Sequence, residues 1–209
     1  MVLTHPNADH LNGLRYIARH FHVKNLWTNG ESEDMAAYFE LMDIAKQKEI
    51  HAVPYAEFSK KQGIHQAAVE ILYPPDDFLE KSKTESWRNA NNNSLVMRIS
   101  FGKHSFLFTG DIMKEAEAEI SAMCGNRLQS TVMTAPHHGS RSSATKRFLE
   151  NVSPEIITIS CGFHNRFKFP HSSVVKRFAK AGCRVLRTDV NGAISFKTDG
   201  EILTIRSYQ

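Results

Sequence analysis

The sequence has 209 residues, of which 41% are hydrophobic and 23% charged, and this balance is typical of a folded globular protein. The length suits one domain with a sizeable core, so we expect a single domain over residues 1–209. The formal net charge of +4 is compatible with an anionic ligand and excludes a densely basic tail dedicated to nucleic acid.

Three cysteines, Cys124, Cys161 and Cys183, are widely spaced and form no CxxC pair. This spacing argues against a thiolate zinc site and against a disulfide framework. No apolar run reaches transmembrane length, and no charged-then-apolar signal segment follows Met1. We therefore expect a soluble, cytoplasmic protein that makes no membrane contact through this chain.

The first part of the chain predicts strands that alternate with helices. A short strand at 2–4 leads into the loop THPNADH, and apolar periodicity predicts a helix over 11–22. A strand over 23–28 precedes a second helix over 33–50, for which Ser32 is the expected N-cap. Short strands are expected at 51–55 and 69–75, and residues 84–93 form a polar loop without periodicity.

The remainder of the chain continues the alternation. Strands at 94–101 and 104–110 form a hairpin joined through Gly102-Lys103, and helices are expected at 113–124, 144–152 and 172–182. Further strands are expected at 130–135, 155–160, 184–188, 192–198 and 201–207, with turns at Asn191-Gly192 and Asp199-Gly200. Helices interleaved with parallel strands and antiparallel hairpins predict an α/β fold with mixed sheets.

Side chains that can bind metal fall in four loops, each of which follows an apolar strand. In chain order these side chains are His5, Asp9 and His10, then Asp111, then His137 and His138, and finally His171. Loops at strand ends are where sites are built in α/β folds, because the strands fix their positions. Imidazole and carboxylate ligands without cysteine suit zinc, manganese or iron. So many ligands exceed the needs of one structural zinc and fit two metals that share a bridging carboxylate.

Each of these groups has a simpler interpretation when it is considered alone. The HxxxDH pattern could be a polar loop, Asp111 could cap the following helix, and His137-His138 could be a surface pair. His171 could belong to the N-cap region of the next helix. Four strand-end placements in this order are hard to obtain by chance, and this favours the metal site.

Five segments carry a family resemblance: LTHPNADHLNGL, NNNSLVMRISFGKHSFLFTGDI, TAPHHGSRSS, SCGFHNRFKFPHSSVVKRF and RVLRTDVNGAISFKTDG. In combination they resemble the metallo-β-lactamase-fold domain of the ComEC/Rec2 competence-protein type. The resemblance covers nearly the whole chain and is weakest between residues 31 and 87. It implies an αββα sandwich of two mixed sheets flanked by helices, with the site along the edge where the loops converge.

The resemblance also implies how two divalent metal ions, Zn²⁺ or Mn²⁺, would be held. Asp9 and His10 would bind one ion with His171, His5 and one or both of His137 and His138 would bind the other, and Asp111 would bridge them. The metals would lower the pKa of a bound water. Asp9, which would also orient that water, and His138 are the expected catalytic residues.

The chain departs from the family pattern at position 7. The general superfamily pattern is HxHxDH, whereas this chain has Asn7, and competence-type relatives often carry aspartate there. Asparagine coordinates through its carbonyl oxygen, more weakly and without charge. This predicts either one loosely held metal or a preference for a hard ion such as manganese over zinc.

A second departure concerns the start of the chain. The family normally has strands before the HxxxDH loop, but here only four residues precede His5. We therefore expect that the N-terminal strands are missing, because the chain is a fragment or because a partner chain completes the sheet. An uncovered sheet edge would otherwise promote aggregation.

Residues for substrate binding are expected directly after HHGS. Ser140, Arg141 and Ser142 could bind a phosphate oxygen beside a helix N-terminus, although Ser142 or Ser143 could equally cap that helix. The resemblance implies hydrolysis of a phosphodiester, with DNA as substrate and partner. The alternatives are a metallo-hydrolase of a small ester, lactone or phosphocholine-type molecule, and a non-catalytic binding module of the same fold.

Overall fold

The computed structural model describes residues 1–31, 36–57 and 61–208. Its Cα positions group into two compact units. Unit 1 comprises Met1–Ser59 and Tyr73–Leu95, and unit 2 comprises Lys60–Leu72 and Val96–Gln209. No helix formed by the described residues is long and apolar enough to span a membrane.

Unit 1 contains a small parallel sheet with helices in its connections. Its elements are β1 (Val2–Leu3), α1 (Ala8–His20), β2 (Asn25–Thr28), α2 (Ala36–Gln47), β3 (His51–Val53), a 3₁₀ turn (Tyr55–Glu57) and the one-turn helix α3 (Phe78–Lys81). The strands lie in the order β1-β2-β3, and both pairs are parallel. Leu3, Leu11, Leu26 and Leu41 are buried in the core that the helices form on this sheet. β1 thereby places the loop that follows it against the start of α1.

Unit 2 is built on a seven-stranded sheet. Its strands are β4 (Lys61–Ile64), β5 (Ala67–Tyr73), β6 (Val96–Phe101), β7 (His104–Phe108), β8 (Val132–Thr134), β9 (Ile156–Ile159) and β10 (Arg184–Arg187), followed by a separate hairpin of β11 (Ala193–Thr198) and β12 (Leu203–Tyr208). Its helices are α4 (Lys114–Cys124), α5 (Lys146–Val152), α6 (Ser172–Lys180) and the one-turn α7 (Thr188–Asn191), with 3₁₀ turns at Gly125–Leu128 and Pro136–Gly139.

The sheet of unit 2 is mixed, in the order β10-β9-β8-β7-β6-β5-β4. The pairs β4/β5 and β6/β7 are antiparallel, whereas β7/β8, β8/β9 and β9/β10 are parallel. The carboxyl ends of β7, β8 and β9 therefore lie at one edge of the sheet, and the loops that leave them carry most of the candidate ligands of this unit. The predicted α/β class with mixed sheets is confirmed.

The helices of unit 2 cover the sheet because their apolar residues recur at helical spacing. α5 buries Phe148, Leu149 and Val152, and α6 buries Val174 and Phe178, one turn apart. Phe148 and Phe178 are fully buried, and truncation of either to alanine would cost about 3–5 kcal/mol of the free energy of unfolding. α5 thus fixes the chain that follows the HHGS segment, and α6 fixes the chain that follows Pro170-His171.

The predicted elements agree with the structure apart from their ends and some short segments. The expected N-cap Ser32 lies outside the described residues. The sequence patterns did not predict β4 or the one-turn helices α3 and α7. These segments are too short for an apolar period to emerge, because four residues cover barely one helical turn.

Candidate metal centre

The ligand segment of unit 1, residues 4–10, is called here the amino-terminal loop. It follows β1 and includes the first residues of α1, and His5 within it is completely buried. Two hydroxyl groups contact the Nδ1 atom of His5, Thr4 Oγ1 and Ser94 Oγ, each at 3.1 Å. Thr4 Oγ1 also lies 3.3 Å from Nδ1 of His10, and the two imidazole centroids are 4.3 Å apart. Hydroxyl contacts thus orient the rings of His5 and His10, each through its own Nδ1 atom.

Asp9 and His10 lie in the first turn of α1, where their ligand atoms are close together. His10 Nε2 is 3.8 Å from Asp9 Oδ2, and the Asp9 side chain is largely exposed. Asn7 precedes the helix and donates from Nδ2 to Asn91 Oδ1 at 2.7 Å. Asn7 therefore ties the loop to the polar segment before β6, and its Oδ1 atom is the one that could coordinate a metal.

Asp111 is the first candidate ligand of unit 2 and follows β7. Its side chain is only 5% exposed. Thr109 fixes the chain just before it, because Thr109 Oγ1 donates to Thr134 O at 2.9 Å and Thr109 N donates to Thr134 Oγ1 at 3.0 Å. The ends of β7 and β8 are thereby held together. The helix that follows Asp111 has Met113 at its N-cap, so the interpretation of Asp111 as a helix cap is wrong.

The second ligand loop, residues 136–143 after β8, is called the HHGS loop. His137 and His138 both adopt left-handed backbone conformations, with φ of 48° and 53°. Such conformations are uncommon for histidine and persist only where the surrounding structure holds them. His138 Nε2 lies 3.5 Å from Asp111 Oδ2, and His137 Nε2 lies 4.0 Å from the same oxygen. The turn therefore directs two imidazoles at one buried carboxylate.

The tautomer of His138 follows from its other nitrogen. Nδ1 lies 2.8 Å from the carbonyl oxygen of Ser160, which can only accept, so Nδ1 carries the proton. In the neutral ring, Nε2 then presents a lone pair towards the Asp111 carboxylate. Two electron-pair donors that face each other require a cation or a proton between them. An imidazole whose other N–H is held by a backbone carbonyl is the usual arrangement of a metal ligand.

His171 begins α6 and makes different contacts. Its Nδ1 accepts from the Ser173 backbone N–H at 3.2 Å, which makes it the N-cap, as the simpler interpretation of this residue predicted. Its Nε2 lies 2.6 Å from Arg141 Nη2. In this arrangement the ring contacts a guanidinium group, and its role as a metal ligand stays a prediction.

The HHGS loop is held in place by Glu117 of α4, which is buried, and by Arg177 of α6, which is partly buried. The carboxylate of Glu117 accepts from the backbone N–H of Ala144 and, at 2.8 Å, from that of Thr145. Arg177 Nη1 donates to the carbonyls of Ser143 and Ala144 at 3.0 and 2.5 Å. Burial raises the pKa of Glu117, and the hydrogen bonds from Thr145 and Ala144 and the charge of Arg177 oppose that rise. The loop is thus fixed by long-range contacts.

The serines after HHGS are engaged with one another. Ser140 Oγ lies 3.0 Å from Ser142 Oγ, and Ser143 Oγ donates to Pro136 O at 2.8 Å. The helix cap is Thr145, whose hydroxyl accepts from Phe148 N, so the interpretation of Ser142 or Ser143 as the cap is wrong. Phosphate binding by Ser140, Arg141 and Ser142 remains a prediction.

Sequence patterns missed Ser94 and Glu117. Ser94 is buried directly before β6 and contacts a histidine 89 residues earlier. Glu117 lies in the buried stripe of α4, between Ala116 and Ile120. A charged residue within an apolar helical stripe is the signal that could have found it, because such residues are almost never fully buried without a partner.

The donors in each unit fit a divalent cation. Asp9 and His10 in unit 1, and Asp111 and His138 in unit 2, each offer ligand atoms within 4.8 Å of each other. Imidazole nitrogen and carboxylate oxygen are the ligand types that zinc, manganese and iron take in hydrolytic sites. The orientation of His138 by a carbonyl and of His5 by hydroxyls adds the supporting contacts that such ligands require.

Comparison with known families assigns the class of protein. The model of the metallo-β-lactamase superfamily matches residues 1–164. The chain therefore belongs to the metallo-β-lactamase superfamily, and the class that this membership supports is a metal-dependent hydrolase. The predicted family is confirmed.

Within that superfamily the chain is similar to proteins of the competence type. It is 28% identical to ComE operon protein 3 of Bacillus subtilis over 210 residues, which is 100% of this chain and 26% of that protein. It is 35% identical to Recombination protein 2 of Haemophilus influenzae over 200 residues, which is 93% of this chain and 21% of that protein. The chain thus spans about a quarter of the length of these relatives.

Solved structures agree at the level of the fold. CmlA, a diiron β-hydroxylase from Streptomyces venezuelae, aligns with a TM-score of 0.55 at 12% identity. The alignment covers 89% of this chain and 42% of that chain. At this identity the likeness shows the fold alone.

Proposed function

We propose that the chain is a divalent-metal-dependent phosphodiesterase that cleaves DNA. The observation that carries the proposal is the arrangement of His138, whose ring is fixed by Ser160 O and faces Asp111 at 3.5 Å. The similarity to a protein named for recombination and to another named for competence supports a nucleic-acid substrate.

The proposed ligands are those that the family resemblance implies. Asp9 and His10 with His171 would hold one ion, and His5 with His137 or His138 would hold the second, with Asp111 shared. When bound, the metal ions would supply a nucleophilic hydroxide at neutral pH and stabilise negative charge on the phosphate. Zn²⁺ and Mn²⁺ are the ions proposed for these donors.

The remaining roles belong to side chains of the chain itself. Asp9 is largely exposed at the start of α1, so its carboxylate can accept a proton from a water and orient it. Arg141 lies within hydrogen-bond distance of His171, and its guanidinium can bind a non-bridging phosphate oxygen. Ser140 and Ser142 would add hydroxyl donors beside it.

The test is a comparison of substrates under controlled metal loading. Purified protein is incubated with single- and double-stranded DNA, bis-p-nitrophenyl phosphate and an aryl carboxylic ester, with Mn²⁺ or Zn²⁺ and with a chelator. We expect cleavage of DNA and of the phosphodiester that the chelator abolishes. Cleavage of the carboxylic ester alone would refute the proposal.

A variant pair ties the activity to the site. His10→Ala is expected to abolish cleavage, whereas His22→Ala changes an exposed histidine just after α1 and serves as its matched control. Equal activity of the two variants would show that the cleavage does not depend on the proposed ligands.

A further inference from the structure

The loop between β9 and α6, residues 161–171, exposes large aromatic side chains. Phe163 is 76% exposed and Phe167 is 60% exposed. Aromatic rings that remain in water forgo the stabilisation that burial provides, so exposure of two in one short loop points to a binding surface. We call residues 163–169 of this loop the aromatic loop.

The aromatic loop has a fixed shape. Asn165 Nδ2 donates to the carbonyls of Gly162 and Phe169 at 3.0 and 2.6 Å, and Asn165 Oδ1 accepts from Phe169 N at 3.0 Å. At the start of the loop, Cys161 N donates to Thr188 Oγ1 at 2.8 Å. One amide side chain thus links both ends of the loop, and the exposed rings extend from a preorganised backbone.

A series of rings connects this surface to the ligands of unit 2. Phe167 stacks on Phe169, with centroids 5.6 Å apart and planes 20° apart. Phe169 in turn lies 5.7 Å from the ring of His137 and 6.5 Å from that of His138, and it is parallel to the latter within 20°. The exposed ring of Phe167 is therefore connected through Phe169 to the candidate metal ligands His137 and His138.

Positive charges alternate with the rings. Arg166 and Lys168 are exposed within the loop, and the Arg166 guanidinium lies 4.7 Å from the centroid of Phe167. Binding of a purely apolar protein partner would bury these cations away from water, which is unfavourable. Aromatic rings interleaved with cations are instead the arrangement that binds single-stranded nucleic acid, in which bases stack on the rings and phosphates pair with the cations.

We propose that the aromatic loop is a base-stacking platform that positions single-stranded nucleic acid, with unpaired bases on Phe163 and Phe167 and adjacent phosphates at Arg166 and Lys168. The bases of a duplex are stacked on each other and cannot reach such rings without unpairing, so the platform selects single strands. The identity of the strand as substrate rests on the proposed phosphodiesterase function. The stacking itself requires no catalysis.

The experiment measures binding by fluorescence anisotropy with Ca²⁺ present, using three labelled probes: a single-stranded DNA 12-mer, the same backbone with abasic sites, and a duplex. Base stacking contributes about tenfold in affinity for each base, so we expect the wild type to prefer the base-bearing strand over the abasic strand by about tenfold or more. Phe163→Ala/Phe167→Ala should lose that preference. Phe39→Ala, which changes a ring 50% exposed in α2, should retain it.

A second variant separates charge from stacking. Arg166→Ala/Lys168→Ala should weaken binding of the base-bearing and abasic strands by the same factor, because the phosphates are common to both. Equal affinity of the wild type for the two strands would overturn the platform. The platform would also be overturned if Phe163→Ala/Phe167→Ala kept the base preference, or if sedimentation showed that this variant changes only self-association.

The outcome distinguishes this platform from the proposed function. If the wild type shows the base preference but cleaves no DNA with Mn²⁺, the platform stands and the phosphodiesterase proposal fails. If the wild type cleaves DNA and the phenylalanine variant retains the preference, the phosphodiesterase proposal stands and the platform fails.

Discussion

The amino-terminal loop and the HHGS loop present histidines in different ways. In the amino-terminal loop, ordinary backbone geometry at the start of a helix places the rings, and hydroxyls of Thr4 and Ser94 orient them. In the HHGS loop, two left-handed residues place the rings, and a backbone carbonyl orients His138. A hydroxyl can donate or accept, whereas a carbonyl only accepts, so the Ser160 carbonyl fixes the tautomer of His138 and the hydroxyl contacts do not fix that of His5.

Because the two loops are held by different contacts, substitutions should disrupt them in different ways. The amino-terminal loop depends on side-chain hydroxyls that a single substitution removes. The HHGS loop depends on backbone conformation, which Gly139 permits within the loop and which Glu117 of α4 and Arg177 of α6 maintain. Substitutions at these positions test the comparison.

The largest effect is expected at Asp111. Asp111→Ala should release both metal ions and lower DNA cleavage by more than about 100-fold, since changes to supporting contacts alone cost about 10–100-fold. His10→Ala should release one ion. The number of metal ions per chain is measured by mass spectrometry. Asp43→Ala, which changes an exposed residue of α2, serves as the control. Full metal content in Asp111→Ala would contradict its assignment as the shared ligand.

Gly139 tests the backbone of the HHGS loop. It has a φ of +77°, and a Cβ atom there would lie 2.7 Å from Cβ of Pro170. Gly139→Ala should therefore lower the free energy of unfolding by about 1–3 kcal/mol, measured by urea denaturation. Gly13→Ala is the control, because among the described residues no atom beyond its own helix and neighbours lies within 4 Å of a new Cβ, and the variant should gain about 0.5–1 kcal/mol. Equal effects of the two substitutions would show that the turn is not constrained.

Ser94 tests the amino-terminal loop. Ser94→Ala removes one of the two hydroxyls on Nδ1 of His5 and should weaken metal binding by about tenfold, which a titration with a competing chelator measures. Folding should change little, because a small buried group is lost. Ser100→Ala, near the end of β6, is the matched control. An unchanged affinity in Ser94→Ala would show that the Ser94 hydroxyl does not support metal binding through His5.

Glu117 should give the smallest effect, visible as a pH dependence. Because burial raises the pKa of Glu117 in the fold, its contribution to stability is fully present below the ordinary glutamate pKa and is lost as the pH rises through the raised value. As the pH rises from the ordinary glutamate pKa to the raised pKa of Glu117, the unfolding midpoint of Glu117→Gln should therefore fall less than that of the wild type. Glu115→Gln, on the same helix, should follow the wild type.

The α/β class and the family are readable from the sequence alone, and so are the candidate ligands. Strand and helix periods are visible within short windows, and the ligands stand next to the strand ends that these windows define. Ser94 carries no local signal of its contact with His5, whereas Glu117 stands out only as a charged residue within an apolar helical stripe.

The contacts that hold these residues depend on the tertiary structure. The proton on His138 Nδ1 is set by a carbonyl 22 residues away, and the ring of His5 is oriented by a serine 89 residues away. His171 lies beside Arg141, from which 30 residues separate it. Hydrogen bonds of this range depend on which strands pair and in which register, and a local pattern of residue types does not contain that information.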